Sequence, residues 1–401
     1  MLFEAPPLDA QELYVLSQID DLKQKLRWQL NEPKRWLGSL RRLSFARNIQ
    51  GSNSIEGYDA ELDDAAAVAL GEEPLDATTE TRLALTGYRN AMTYVLQLAS
   101  PEDAFEYSEQ LIKALHFMMT SYDLKSRPGR FRSGTVYVRR EETGEIVHEG
   151  ADADQFATLM TELVEQLSRD DAGIPSLVRA AMAHLNLVMI HPFKDGNGRM
   201  ARCLQSLVLA RQGVLSPVFM SIEEYLGKNT EDYYDVLGVV GGGSWQPQRN
   251  ARPWVRFILT AHLRQARTLL QRVRESERLW ERLEAFVAIN GLPDRTMYAL
   301  FDAAQGLRVR RATYRAIFED MAEDLISEQT ATRDLRDMVV ADLLVARGEK
   351  RGRYYVASPM VRAVWQEIID SRDGRDNSDP FTANPEAIEV DASITETAPL
   401  F

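Results

Sequence analysis

The chain has 401 residues, 45% of them apolar and 27% charged, so it is long enough for two or three domains and apolar enough for a sizeable buried core. A formal net charge of −13 argues against affinity of the whole chain for nucleic acid or an anionic membrane. No run of about 18 apolar residues could span a bilayer, and the N-terminus, Met1-Leu2-Phe3-Glu4-Ala5-Pro6-Pro7, lacks the order of a signal peptide. The single cysteine, Cys203, excludes an intrachain disulfide and suits a reducing compartment, so a cytoplasmic location is expected.

Residues 10–56 read as helical, with Leu13, Leu16, Ile19, Leu22 and Leu26 near helical spacing. Further helices are expected over about 78–99 and 105–120. Thr135, Val136, Tyr137 and Val138 are strand formers, and Thr143-Gly144 offers a turn before Glu145-Ile146-Val147, so a lone β-hairpin should interrupt the helices. Helices resume over about 152–168, 174–190 and 198–212; in the last, Met200, Cys203, Leu204, Leu207 and Val208 make one apolar face, with Cys203 a core residue. Gly241-Gly242-Gly243-Ser244 is a loop before a long charged helix of about 253–290. A second region, 291–360, carries short helices and two strand-like stretches around Arg347–Arg353. Residues 371–401 hold seven acids against two arginines, a net of −5, and are expected to be disordered.

The chemistry concentrates between two of these helices, in His191-Pro192-Phe193-Lys194-Asp195-Gly196-Asn197-Gly198-Arg199-Met200-Ala201-Arg202. Pro192 ends one helix and the next begins near Gly198, so the loop offers orphan N–H groups at a helix N-terminus, where an anion is favoured. Gly196 and Gly198 let the backbone approach that anion closely. Arg199 and Arg202, cations in a first turn, oppose the dipole, which makes sense where they grip a polyanion. Asp195 could hold Mg²⁺ together with phosphate oxygens and water. His191 suits proton abstraction from a hydroxyl near neutral pH. Together these are the parts of phosphoryl or nucleotidyl transfer. His116, His148, His184 and His262 show no metal-ligand spacing and are read as structural.

This loop resembles the signature of the Fic family, His-x-Phe-x-(Asp/Glu)-Gly-Asn-Gly-Arg-x-x-Arg, with every fixed position present. The surroundings resemble the family as well: Arg179–His184 before the loop, Pro128-Gly129-Arg130-Phe131-Arg132 before the hairpin, and Tyr233-Tyr234 after it. The resemblance covers roughly residues 40–265 and implies a mostly α fold, a helical Fic-type core with a β-hairpin flap. It implies a protein adenylyltransferase with ATP as co-substrate and Mg²⁺ on Asp195. His191 would be the base, Gly196, Asn197, Gly198, Arg199 and Arg202 the phosphate holders, and Tyr233 and Tyr234 neighbours of the adenine. Val136, Tyr137 and Val138 would dock the target by strand addition. Relatives that phosphorylate instead carry lysine at the position of Gly198, so the intact Gly-Asn-Gly favours nucleotidyl transfer.

Upstream, Ser52-Asn53-Ser54-Ile55-Glu56-Gly57 resembles the family's inhibitory pattern (Ser/Thr)-x-x-x-Glu-(Gly/Asn), which implies that Ser52 and Glu56 restrain the enzyme through Arg202. Downstream, 325–337 resembles the helix-turn-helix of winged-helix proteins, with 347–353 as the wing. Over 325–356 six basic residues face five acidic ones, so DNA and protein stand equally as partners of that region. The expected organisation is 1–100 with the inhibitory motif, 101–265 as catalytic core, 266–290 as linking helix, 291–360 as winged-helix domain and 371–401 as acidic tail. The target is an unidentified protein or the chain itself; homo-oligomers stay open, and no membrane is involved. Two other readings stay open: a nucleotide-sensing DNA-binding regulator, and an enzyme that also removes AMP.

Overall fold

The computed structural model describes all residues except 32–33, 101–103, 140–145, 153, 170–172, 212–216, 321–324, 373, 375 and 383–401. The expected turn at Thr143-Gly144 and most of the acidic tail lie outside the described residues. The helical block foreseen over 10–56 is two helices, α1 (Ala10–Asn31) and α2 (Leu37–Ser54). A short α3 (Leu62–Ala69), with no counterpart in the expectation, precedes α4 (Thr79–Leu98) and α5 (Glu109–Thr120). The hairpin is β1 (Tyr137–Arg139) paired antiparallel with β2 (Ile146–Glu149), its register set by Tyr137 opposite Glu149 and Val138 opposite His148.

At the centre lie α6 (Phe156–Ser168), α7 (Ser176–Ile190) and α8 (Asn197–Ala210), then α9 (Pro217–Met220), α10 (Glu223–Lys228) and α11 (Thr230–Gly241). The expected apolar face of α8 is present, but its other face does not meet water. Arg199, Arg202, Gln205 and Ser206 are buried too, because α2 and α4 cover the side that a periodicity argument assigns to solvent. α2 is likewise buried nearly all round. It crosses α10 with the backbones in contact: a Cβ on Gly51 would stand 2.5 Å from the Glu223 carbonyl oxygen, and one on Gly227 would stand 2.7 Å from the Gly51 Cα. Only glycine permits that crossing.

The long helix α12 (Arg252–Ile289) has 38 residues and is therefore about 57 Å long. It packs on α1 and α7 at one end and on the C-terminal elements at the other. Those elements are α13 (Thr296–Ala304), α14 (Arg311–Asp320), α15 (Glu328–Val340), the antiparallel pair β3 (Leu344–Arg347) and β4 (Tyr354–Ala357), and α16 (Pro359–Asp370). Sequence reading did not foresee α16, which returns along α12. One contiguous apolar core runs from Phe3 through Leu207 to Ile368.

The C-terminal elements also dock on the N-terminal ones. Arg42 of α2 and Asp302 of α13 form a buried ion pair at 2.6 Å, Leu307 packs with Leu43 and Ala46, and Arg308 reaches Asp63, Asp64 and Asp76. The start of the acidic tail departs from the expectation of disorder. Arg264 donates to the Asn377 carbonyl at 3.0 Å, Arg267 pairs with Asp376 at 2.7 Å, and Phe381 is buried beneath Arg256. Arginines on α12 give Asp376 and its neighbours partners that composition alone does not reveal. No helix among the described residues is long and apolar enough to cross a membrane.

Candidate active site

The loop from His191 to Gly196 is built by ordinary end-of-helix chemistry. α7 stops at Ile190 and His191 takes the left-handed conformation, φ 55° and ψ 57°, its N–H donating to the Leu187 carbonyl. For a residue with a Cβ this conformation costs about 1–3 kcal/mol, so the surroundings must hold it. Phe193 plugs the loop into the core and stacks on His116 at 3.7 Å. Gly196, at φ 75°, precedes α8, and a Cβ there would meet Thr120 at 2.9 Å.

Asn197 closes the loop. Its Oδ1 accepts from the Phe193 N–H at 2.8 Å and its Nδ2 donates to the Phe193 carbonyl at 2.9 Å. The side chain is thereby consumed and buried. What the segment 196–198 offers an anion is its backbone, the orphan N–H groups of the first turn of α8.

His191 donates from Nδ1 to the Val188 carbonyl at 3.0 Å, which fixes the tautomer and leaves Nε2 as the acceptor. Burial lowers its pKa to about 4, outweighing the bond to the Val188 carbonyl, which raises it; His148 lowers it further, Glu56 raises it and Arg132 lowers it least. The ring is thus neutral at pH 7 and competent to accept a proton, though a weaker base than an exposed histidine. Phosphates bound alongside would raise it.

Two guanidiniums lie under the loop. Arg199 donates to the Tyr122 hydroxyl at 2.9 Å, lies over the Tyr58 ring and stands 3.5 Å from the Asp195 carboxylate. Arg202 donates from Nε to Ser52 Oγ and from Nη2 to the Ser52 carbonyl, both at 2.8 Å, and from Nη2 to Glu56 Oε1 at 2.7 Å. Arg199 Nε and Arg202 Nη1 are buried with no hydrogen-bond partner.

Glu56 reaches this spot because α2 ends in a Schellman turn. Tyr58 N–H donates to the Asn53 carbonyl, Gly57 N–H to the Ser54 carbonyl, and Gly57 takes φ 79°. Ser52 and Glu56 therefore present to Arg202 together, and the Glu56 carboxylate stands directly over Gly198, where a Cβ would fall 2.4 Å from Oε1. Burial pushes the Glu56 carboxyl up, but Arg202 and Arg199 outweigh it and hold the net shift downward. An ionised carboxylate thus sits at the N-terminus of α8 between two arginines.

The two tyrosines part company. Tyr233 is 1% exposed, shares a hydrogen bond with His184 Nε2 at 3.0 Å and stands beneath Arg202. Tyr234 is at the surface and its hydroxyl donates to the Ile55 carbonyl at 3.1 Å, next to Glu56. Val136, Tyr137 and Val138 are on the first limb of the hairpin; the other limb is engaged where Glu149 N–H donates to the Gly243 carbonyl at 2.9 Å.

Among the described residues no group of three or more acids, histidines or cysteines could hold a metal by itself. Asp195 nevertheless fits one role. Its carboxylate is half exposed beside Arg199, as befits a single protein ligand to a Mg²⁺ ion otherwise held by phosphate and water.

Two histidines prove to support the loop. His116 Nε2 donates to the Asp195 carbonyl at 2.8 Å, and its Nδ1 accepts from Gly129 N–H at 2.9 Å. His148 Nε2 donates to the Met189 carbonyl at 3.0 Å. Nothing in their spacing announces this, since each acts across 40 residues or more of chain.

Comparison with known proteins gives a family match, relatives and a shared fold. Residues 106–209 match the Fic/DOC family. Curated relatives named protein adenylyltransferase Fic include one from Nematostella vectensis, 26% identical over 227 residues, which are 54% of this chain and 46% of that protein. Another, from Culex quinquefasciatus, is 29% identical over 217 residues, which are 54% of this chain and 39% of that protein. The chain thus spans less than half the length of these relatives. A Fic family protein from Desulfovibrio desulfuricans superposes with a TM-score of 0.55 at 23% identity, covering 88% of this chain and 98% of that one. Fic-1 from Caenorhabditis elegans gives 0.51 at 24% identity, covering 66% and 73%. Residues 106–209 thus match the Fic/DOC family, and the chain has the helical fold that solved Fic proteins share.

Proposed function

We propose that the protein transfers the AMP moiety of ATP to a hydroxyl of a target protein or of itself, and that Glu56 restrains this activity. The observation that carries the reading is the ionised Glu56 carboxylate over Gly198 and against Arg202. An acid of the protein itself takes the place of an anion at a helix N-terminus lined by two buried arginines, beside a neutral histidine. A polyphosphate is the ligand such a site is built for.

In the proposed reaction His191 Nε2 takes the proton of the attacking hydroxyl as its oxygen bonds to the α-phosphorus. The bond from that phosphorus to the bridging oxygen breaks, and pyrophosphate leaves with the electron pair. The N–H groups at 196–198 hold the phosphates, and Arg199 and Arg202 hold their outer oxygens once Glu56 withdraws. Asp195 would hold Mg²⁺, which when bound neutralises phosphate charge. The hairpin strand at Val136–Val138 would pair with the target, and Tyr234 borders the nucleotide through the Ile55–Glu56 segment.

Incubation with ATP labelled in the α-phosphate tests the reading: label should become covalent on protein with Glu56→Gly and be lost with Glu56→Gly combined with His191→Ala. General-base loss should cost about 10²–10⁴-fold. Undiminished transfer by the double variant would remove His191 from the chemistry.

A second reading attaches to residues 291–360, which we take as a winged helix. Arg333 and Arg336 are exposed on α15, and Arg347, Lys350 and Arg353 are exposed at the β3–β4 turn, a distribution able to meet a phosphate backbone.

A further inference from the structure

We infer that Arg132 is a positioning residue for His191, joining the hairpin to the base so that a strand docked on the hairpin is registered against Nε2; this rests on the adenylyltransferase reading. α7 ends with its last carbonyls unsatisfied, as every helix does. The last two of α7, at Met189 and Ile190, and the next two along the chain, at His191 and Pro192, are all answered from residues of the hairpin and its approach. Arg132 Nε donates to the His191 carbonyl at 2.8 Å, its Nη2 to the Ile190 carbonyl at 3.3 Å, and its backbone N–H to the Pro192 carbonyl at 2.9 Å. His148 takes the Met189 carbonyl.

The same guanidinium turns outward to the hairpin. Nη1 donates to the Gly134 carbonyl at 2.5 Å and Nη2 to the Ala151 carbonyl. Arg132 is 7% exposed, and Gly150 leaves room for it: a Cβ there would fall 3.0 Å from His191 Cβ and 3.2 Å from Arg132 Nη2. Backbone also ties the parts, through Gly150 N–H to the Val136 carbonyl at 3.1 Å. One planar fork therefore spans both limbs of the hairpin and the left-handed residue that carries the base. Lysine, a point donor, cannot reproduce four separately aimed N–H bonds.

The test uses Arg132→Lys in the full chain with Glu56→Gly, reading self-labelling from α-labelled ATP and the His191 ring by ¹⁵N NMR, with His191→Ala assigning the signal. The labelling rate at saturating ATP should fall about 10²-fold, as a misplacement of about 1 Å can produce, while the half-saturating ATP concentration changes less than about twofold. His191 should pass from one Nδ1–H tautomer to a mixture, since the Val188 bond depends on the same backbone. An unchanged rate together with an unchanged tautomer overturns the inference. Absence of label in every variant overturns the transferase reading alone, and the ring state then decides the role of Arg132. Should Arg132→Lys not fold, Gly150→Ala presses on the same joint from the opposite side, and retention of both rate and tautomer there overturns the inference equally.

Discussion

At Glu56 two requirements meet in one carboxylate. It completes the hydrogen bonding of a buried guanidinium, and it lies where a phosphate oxygen would satisfy the N-terminus of α8. Arg202 is 1% exposed and the Glu56 side chain 22%, so removing Glu56 leaves a buried charge and costs more than losing a surface bridge of roughly 0–1 kcal/mol. Glu56→Gly should lower stability by about 1–3 kcal/mol, the cost of leaving a buried donor unsatisfied, with folding sustained by the two Ser52 contacts to Arg202. It should raise self-labelling tenfold or more, equivalent to only about 1.4 kcal/mol of barrier. Denaturant titration and labelling at saturating ATP and Mg²⁺ check both; equal labelling by parent and variant would refute the restraint. The residue types of the loop and of Ser52–Glu56 were legible in sequence because each set is contiguous. Which atoms point at a ligand was not: Asn197 is spent on Phe193, and Tyr233 on His184.

Among the elements, α2 shows why periodicity misleads in a crowded fold. Helical spacing identifies one apolar face, yet α2 and α8 are buried on several sides, and their polar residues are matched to one another across the contact rather than to water. Such matching is tertiary information and is invisible until the partner helix is placed. For the same reason α3, only eight residues long, escaped a reading by pattern; α16 was missed although Ser358 caps it, Pro359 opens it and Val361, Val364 and Ile368 share one face. Gly51 is the tightest point of the α2–α10 crossing. Gly51→Ala should lower stability by about 1–3 kcal/mol through overpacking, and by lifting α2 it should draw Ser52 and Glu56 from Arg202 and raise self-labelling. Melting temperature and label incorporation, measured together, decide the matter; destabilisation with no gain in labelling would show that the position of α2 does not set the restraint. At the β3–β4 turn, Arg347→Ala with Arg353→Ala should flatten the salt dependence of duplex DNA binding by about 0.9 in log–log slope per lost contact. A parent protein that fails to bind DNA at low salt would favour a protein partner.

For the molecule as a whole, burial of ionisable groups governs the response to pH. His184 and His262 are lowered to about 3 and His116 and His191 to about 4, in each case chiefly by burial. The unfolded chain therefore binds more protons below about pH 6.5, and stability must fall as pH drops from there toward 4. Glu223, raised to about 7 by burial, has the opposite sign: its contribution is present in acid and lost as pH rises toward 7. His148 is lowered by burial too, and Asp302, like Glu223, is raised by it; five histidines outweigh two carboxyls, so melting temperature should fall from pH 7 to pH 4, and a flat profile would mean that these rings are solvated. Asp302→Ala should cost about 3–5 kcal/mol, because it strands Arg42 as a buried charge, and urea denaturation reads that directly.

The ion pair of Arg42 with Asp302 has a mechanical consequence. α2 has 18 residues, about 27 Å of rod, with its first turns clamped under α13 and its last turn holding Ser52 and Glu56 against Arg202. A rod so held at both ends cannot tilt at one without working against the other. On the proposed reading, a ligand of the C-terminal elements that displaces Asp302 and tilts α2 should alter ATP affinity, and ATP should then alter that ligand's affinity by the same factor, since linkage between two sites is reciprocal.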